Sequence, residues 1–231
     1  ILLLNFGYGG QVPGADMATR FGANFLAGVN IDYYTSNNFI VGIQGDFLFG
    51  KKVNIDVLSN LRGSEGFVYA DDGGFADVQL RERGLSFSAH IGKVIPISSK
   101  NKRSGIRLTA GAGMLRHKIR IQDEPQVFVS SLGDDYKKGY DRLTGGLALN
   151  QFVGWQHLAA NRRSNFLVGL EFNQGFTKSL RDWDFTHPRE PLASTRSRDA
   201  RSVERYPARF VLGAYDGGGH EYASPDLRRT A

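Results

Sequence analysis

Cysteine is missing from all 231 residues, which rules out a disulfide framework and a thiolate metal site. Also missing is any apolar run close to the ~20 residues a membrane helix requires. Mean hydropathy is only −0.32. This excludes helical spans but not alternating strands, whose hydropathy signal is weak. The scattered His117, His157, His187 and His220 show no metal-ligand spacing, and no cofactor motif is present. The net charge is +6. The basic residues read as spread over turns and loops, without the stripe or patch that nucleic acid needs. Ile1-Leu2-Leu3-Leu4 has no basic flank and no small-residue cleavage site after it. It is expected to open the first strand of a chain whose export signal has been removed.

What is present is alternation. Asn38 to Phe49 places Phe39, Val41, Ile43, Gly45, Phe47 and Phe49 on one parity and Ile40, Gly42, Gln44, Asp46 and Leu48 on the other. Strand side chains point to opposite faces in turn, so one face is apolar and aromatic and the other smaller and more polar. The same pattern predicts strands over 2–8, 24–34, 85–95, 105–119, 140–157 and 165–176. Gly9-Gly10 is expected to break the first of these. A short helix is predicted over Val53 to Leu61, inside a long polar segment from Gly50 to about Gly84. After Lys178 arginine becomes dense and lysine disappears. Only Tyr206 to Tyr215 alternates there, with Pro207 marking it as an edge candidate.

A strand that is apolar outward and polar inward, with aromatic ends, is the mark of a transmembrane barrel. The predicted fold is therefore all-β: an antiparallel up-and-down transmembrane β-barrel of eight strands, with Tyr206 to Tyr215 as the eighth. Residues 1–215 form the barrel and 216–231 a disordered tail. Phe39, Val41, Ile43, Phe47, Leu147, Leu149, Val168 and Leu170 are predicted to face lipid. Asp32, Asp46, Arg107 and Glu171 lie on the opposite parity, among many glycines, and are predicted to form a charge network in the lumen. Connections alternate long and short, which puts the loops at 10–22, 50–84 and 122–139 outside the cell and the turns at 35–38, 97–104 and 159–164 in the periplasm. A soluble ligand-binding barrel with its apolar parity inward is the competing architecture.

The run Tyr8-Gly9-Gly10-Gln11-Val12-Pro13-Gly14-Ala15-Asp16-Met17-Ala18-Thr19-Arg20-Phe21-Gly22 resembles the first loop of small outer-membrane β-barrel proteins from Bacteroidota. Gly45-Asp46-Phe47-Leu48-Phe49-Gly50 and Tyr136 to Thr144 are similar to the same family. The resemblance covers residues 1–178 and the C-terminal part departs from it. It implies an eight-stranded barrel in the bacterial outer membrane and carries over no catalytic residue.

Chemistry-bearing groups are sparse. Ser86, Ser88 and His90 share a parity, with Glu171 on the same kind of face, which is the residue set of nucleophilic acyl transfer. A lipid A deacylase or acyltransferase is therefore an alternative function. Asp71, Asp72 and Asp77, and Asp134 with Asp135, lack the spacing of a calcium loop. Lys137 and Lys138 are candidates for lipopolysaccharide phosphates, and Trp155 for an interface anchor. The expected role is non-enzymatic, structural or interactive. The expected partners are outer-membrane lipid, with lipopolysaccharide as one form of it, and a protein whose identity the loops do not reveal.

Overall fold

A computed structural model describes residues 1–99, 101–123, 129–159, 165–181, 185, 203–205 and 209–215. Its strands are β1 (Leu2–Gln11), β2 (Asn24–Tyr34), β3 (Phe39–Gly50), the two-residue β4 (Val68–Tyr69) and β5 (Phe75–Ala76), β6 (Gln79–Ser98), β7 (Asn101–Gln122), β8 (Thr144–Leu158), β9 (Asn165–Ser179), β10 (Val203–Arg205) and β11 (Arg209–Tyr215). Two short helices, α1 (Ala15–Arg20) and α2 (Asp134–Tyr140), lie in the long connections.

Every main strand pairs antiparallel with its neighbour, from β1 through β2, β3, β6, β7 and β8 to β9. β11 then pairs with β9 on one side and β1 on the other, so eight strands form a closed ring. Closure leaves no open edge, the condition for a sheet surrounded by hydrocarbon. Tyr206 to Ala208 of the expected eighth strand, residues 160–164 of the expected turn at 159–164, and the expected tail at 216–231 lie outside the described residues.

Register turns the alternation into two surfaces. One outward row runs Phe6, Val29, Gly45, Phe87, Met114, Leu147 and Phe176 through seven successive strands. The side chains along this face are exposed, Met114 at 70%. An inward row runs Leu3, Asp32, Gly42, His90, Gly111, Asn150 and Asn173. The expected outward residues Phe39, Val41, Ile43, Phe47, Leu147 and Val168 are exposed, while Leu149 and Leu170 are half-buried on the same face.

Several boundaries differ from the pattern in the sequence. β1 continues through Gly9 and Gly10 to Gln11, because each keeps a partner on β2 and the ladder holds without side chains. Pro13, which has no N–H, follows the strand's end. β6 and β7 run well past the expected limits and join through residues 99 and 100, so the turn expected at 97–104 is mostly strand. Their loop-side ends reverse the pattern, with Ile119 and Ile121 inward and Lys118 and Arg120 outward. β8 starts at Thr144 because Asp134 to Tyr140 is helical. The helix expected over Val53 to Leu61 is only a 3-10 turn, Ser59–Leu61.

The segment after Gly50 is also less polar in effect than in composition. Val57, Leu58, Val68 and Ala76 join Met17 and Phe21 of the first connection and Leu132 of the third. They pack on Leu26, Leu48, Leu115 and Ile119 from the strands, forming an apolar cap over the loop end of the barrel. At the turn end a smaller group, Tyr34, Ile40, Val94 and Leu3, closes the floor. The tight turn between β2 and β3 has Asn38 at φ 62°, a left-handed position that asparagine tolerates.

Candidate functional site

The lumen lies between cap and floor, and it holds charged and polar side chains alongside Phe152 and Leu167. Asp32 is fully buried and Arg107 is 3% exposed. Arg107 donates from Nη1 to Asp32 Oδ2 at 2.8 Å and from Nη2 to Oδ1 at 3.1 Å, a bidentate pair. Asn5 Nδ2 donates to Oδ2 at 2.7 Å, and His90 Nε2 lies 2.7 Å from Oδ1. An ionised carboxylate only accepts, so His90 carries its proton on Nε2. Arg107 Nη2 sits 3.3 Å from that nitrogen because both converge on Oδ1. Arg107 Nη1 also donates to the Tyr34 hydroxyl, which in turn donates to Gln156 Oε1.

Glycine makes this network possible. Gly42 lies between Asp32 and His90 in the inward row, and a Cβ there would meet Asp32 Oδ1 at 2.4 Å and His90 Nε2 at 2.8 Å. The hydrogen bond between those side chains passes over its bare Cα. Gly28 similarly leaves room for Asp46, whose Oδ1 would be 2.0 Å from an added Cβ.

Among the described residues the expected four-residue network falls into two groups. Asp32 and Arg107 meet directly. Asp46 and Glu171 are bridged by Gln44 Nε2, at 2.9 Å and 3.4 Å, and Asn173 Nδ2 donates to Glu171 at 3.0 Å. Arg209 holds the register position opposite Glu171 and Gln11. Asn5, Tyr34, His90 and Gln156 complete the first group. The signal for them was available, since each shares a parity with a charged residue or with the lumenal glycines. A cavity of about 20 Å³ lies among Gln44, Asp46, Arg107, Asn150 and Glu171. That is room for about one water, not an open pore.

The acyl-transfer set is not assembled. Ser88 Oγ accepts from Asn150 Nδ2 at 3.1 Å, while His90 Nε2 is engaged with Asp32. Both residues are enclosed by the barrel wall. The loop carboxylates have local roles: Asp71 accepts from Ser130, Asp72 from the Gly74 amide, and Asp77 from Gln79. Among the described residues no three His, Asp or Glu side chains gather as a metal site.

Lys137 bonds Asp123 at 2.9 Å and 3.1 Å, and Lys138 bonds Asp135 at 2.7 Å. These two lysines are therefore already paired within their loop. Lys138 holds the Asp135 carboxyl below its usual range. Arg181 is held above its usual range by its hydrogen bonds to Asp141. Burial raises the Tyr140 phenol. Trp155 is exposed on the outward face of β8 near the turn end. The reading of a dispersed positive charge is corrected: Arg81, Arg83, Arg116, Lys118 and Arg120 are strand residues on β6 and β7.

No protein-family model and no curated protein matches the chain. Among solved structures it is similar to Ail, the attachment invasion locus protein of Yersinia pestis, at 13% identity over 93% of this chain and 95% of that one, with a TM-score of 0.44. A second structure of Ail, in complex with the heparin analogue sucrose octasulfate, gives 12% identity, coverage of 93% and 95%, and a TM-score of 0.39. Neisserial surface protein A gives 11% identity, 92% coverage of each chain and a TM-score of 0.41. The architecture described above rests on the strand pairings, not on these likenesses.

Proposed function

We propose that this chain is an outer-membrane β-barrel with a structural or interaction role, non-enzymatic, that holds a packed layer of loops at the cell surface. The observation that carries the reading is the inversion of the barrel. Its exposed wall is an apolar belt, while its interior contains Asp32, Arg107, Asp46 and Glu171. In water such a belt would be an aggregation surface far larger than soluble monomers expose. In a bilayer it is solvated by acyl chains, and the lumenal ions are shielded from them. Phe39, Val41, Ile43, Phe47, Leu147, Leu149, Val168 and Leu170 then face lipid, and the long connections at 12–23, 51–78 and 123–143 face outward.

A soluble ligand-binding barrel would need an apolar cavity inside, whereas this lumen carries a hydrogen-bonded polar network and leaves only about 20 Å³ beside it. A lipid-modifying enzyme would need Ser88 and His90 to face substrate, and both are enclosed. The resemblance of residues 1–178 to small outer-membrane barrels of Bacteroidota supports the same placement.

The test is insertion. Purified chain added to phospholipid vesicles should fold into a form that migrates differently on a gel before and after boiling. A species soluble without detergent and indifferent to vesicles would overturn the proposal.

A further inference from the structure

Strand pairing gathers cations on the outer wall at its loop end. Across β6 and β7, Arg81 stands directly opposite Arg120 and Arg83 opposite Lys118. One step nearer the belt, Arg116 is opposite Leu85. Its row continues through Gly145 of β8, which has no side chain, to Lys178 of β9. Opposed residues on a sheet lie about 4.5–5.5 Å apart, and like charges in that relation are destabilising. Two such pairs in succession serve no purpose of the sheet's own.

Carboxylates do not cancel this charge. Among the described residues only Asp141 forms an ion pair with the group, 3.7 Å from Lys118 Nζ. Both its oxygens are already engaged by Arg181, a further cation. Glu82, between Arg81 and Arg83 in sequence, points the other way and is fully buried against Asn24. Arg81 bonds Gln79 and Arg83 bonds the Glu82 carbonyl, both neutral groups. The side chains of Arg116, Arg120 and Lys178 hold no hydrogen bond or ion pair among the described residues.

The position of the cluster identifies its ligand. Leu85, Phe87 and Met114, immediately beneath the cations, are among the most exposed apolar side chains of the wall. A ligand that satisfies both parts is anionic at one end and aliphatic at the other. Guanidinium groups present paired donors that match phosphate oxygens. We propose that this face of β6 and β7, with Lys178, binds the phosphate groups of a glycolipid in the surrounding leaflet, its acyl chains lying on Leu85, Phe87 and Met114. This rests on the outer-membrane reading above. A soluble polyanion would need the cations but not the belt.

The experiment places the full chain in zwitterionic phospholipid vesicles alone, with bisphosphorylated lipid A, or with dephosphorylated lipid A. Thermal unfolding is read by heat-modifiable migration. Phosphorylated lipid A should raise the unfolding temperature and the dephosphorylated form should not. In the variant R83Q/R116Q/R120Q the apparent affinity should fall by more than about tenfold, as expected when charge-assisted hydrogen bonds are lost. The variant K93Q/K102Q/R103Q, which removes three cations at the turn end, should respond as the parent does.

An unchanged response in R83Q/R116Q/R120Q, or an equal response to dephosphorylated lipid A, would overturn the site. So would equal stabilisation by inorganic phosphate or by a soluble sulfated polysaccharide in zwitterionic vesicles. Failure to insert into any vesicle would remove the membrane reading itself, whereas insertion without phosphate dependence would remove only this site.

Discussion

Asp32 reaches His90 across Gly42, with 2.7 Å between the carboxylate Oδ1 and the imidazole Nε2 on strands that are not neighbours. The contact depends on what lies between them. In the inward row Asp32, Gly42, His90, Gly111 and Asn150, every second residue is glycine, so each polar side chain can lean over a gap towards the next. A barrel of eight strands has room for side chains and little else. This row fills that space with a hydrogen-bonded chain.

Gly42→Ala should therefore be more harmful than a methyl group in a sheet ordinarily is. Its Cβ would lie 2.4 Å from Asp32 Oδ1 and 2.6 Å from the Ile31 carbonyl. Overpacking of this kind costs about 1–3 kcal/mol. The check is the urea midpoint of vesicle-folded protein, and a midpoint equal to the parent's would show that the lumen has room for the added methyl group.

Arg107→Met leaves Asp32 buried without its bidentate partner, and loss of one member of a buried pair costs about 3–5 kcal/mol. Asp32→Asn in the same background should recover part of that cost by removing the stranded charge. Additive losses in the double-mutant cycle would argue that the two side chains act independently.

Val41→Arg places a charge on the outer wall and should cost roughly 2–4 kcal/mol if it lies near the bilayer midplane. Gln44→Ala, on the opposite face, is a poor control because Gln44 bridges Asp46 and Glu171. Ser86→Ala serves better: it is an inward, half-buried hydroxyl on β6, and it should stay within about 0.5 kcal/mol. Similar losses at Val41 and Ser86 would contradict the assignment of faces.

Leu58→Ala should loosen the cap without opening the barrel. Leu58 is fully buried among residues of three connections. Removal of such a side chain costs about 2–5 kcal/mol of local stability. Trypsin should then cut the connection faster at the exposed Lys51 and Lys52. Heat-modifiable migration of the barrel should persist. Loss of that migration would mean that cap and barrel fold as one unit.

The sequence alone determined the alternation, and with it the strands, the antiparallel order, the two faces and the placement of Asp32, Asp46, Arg107 and Glu171 on the inner one. A period of two is local and survives without knowledge of neighbours. The alternation of Tyr206 to Tyr215 also pointed to the eighth strand, and β11 supplies it, but the pairing that closes the ring is not a local property. The β11 segment is short and follows a proline, and its assignment depends on two partner strands that lie far away in sequence.

Which inner residues touch was likewise settled only by register. Asp32 and Arg107 are 75 positions apart, and a shift of one residue between strands would separate them. The cap was illegible because Met17, Val57, Leu58 and Leu132 are apolar residues scattered through polar connections with no period to reveal them. The cations on β6 and β7 looked dispersed for the same reason. Arg81 and Arg120 are far apart along the chain, and the pairing of two long strands makes them neighbours.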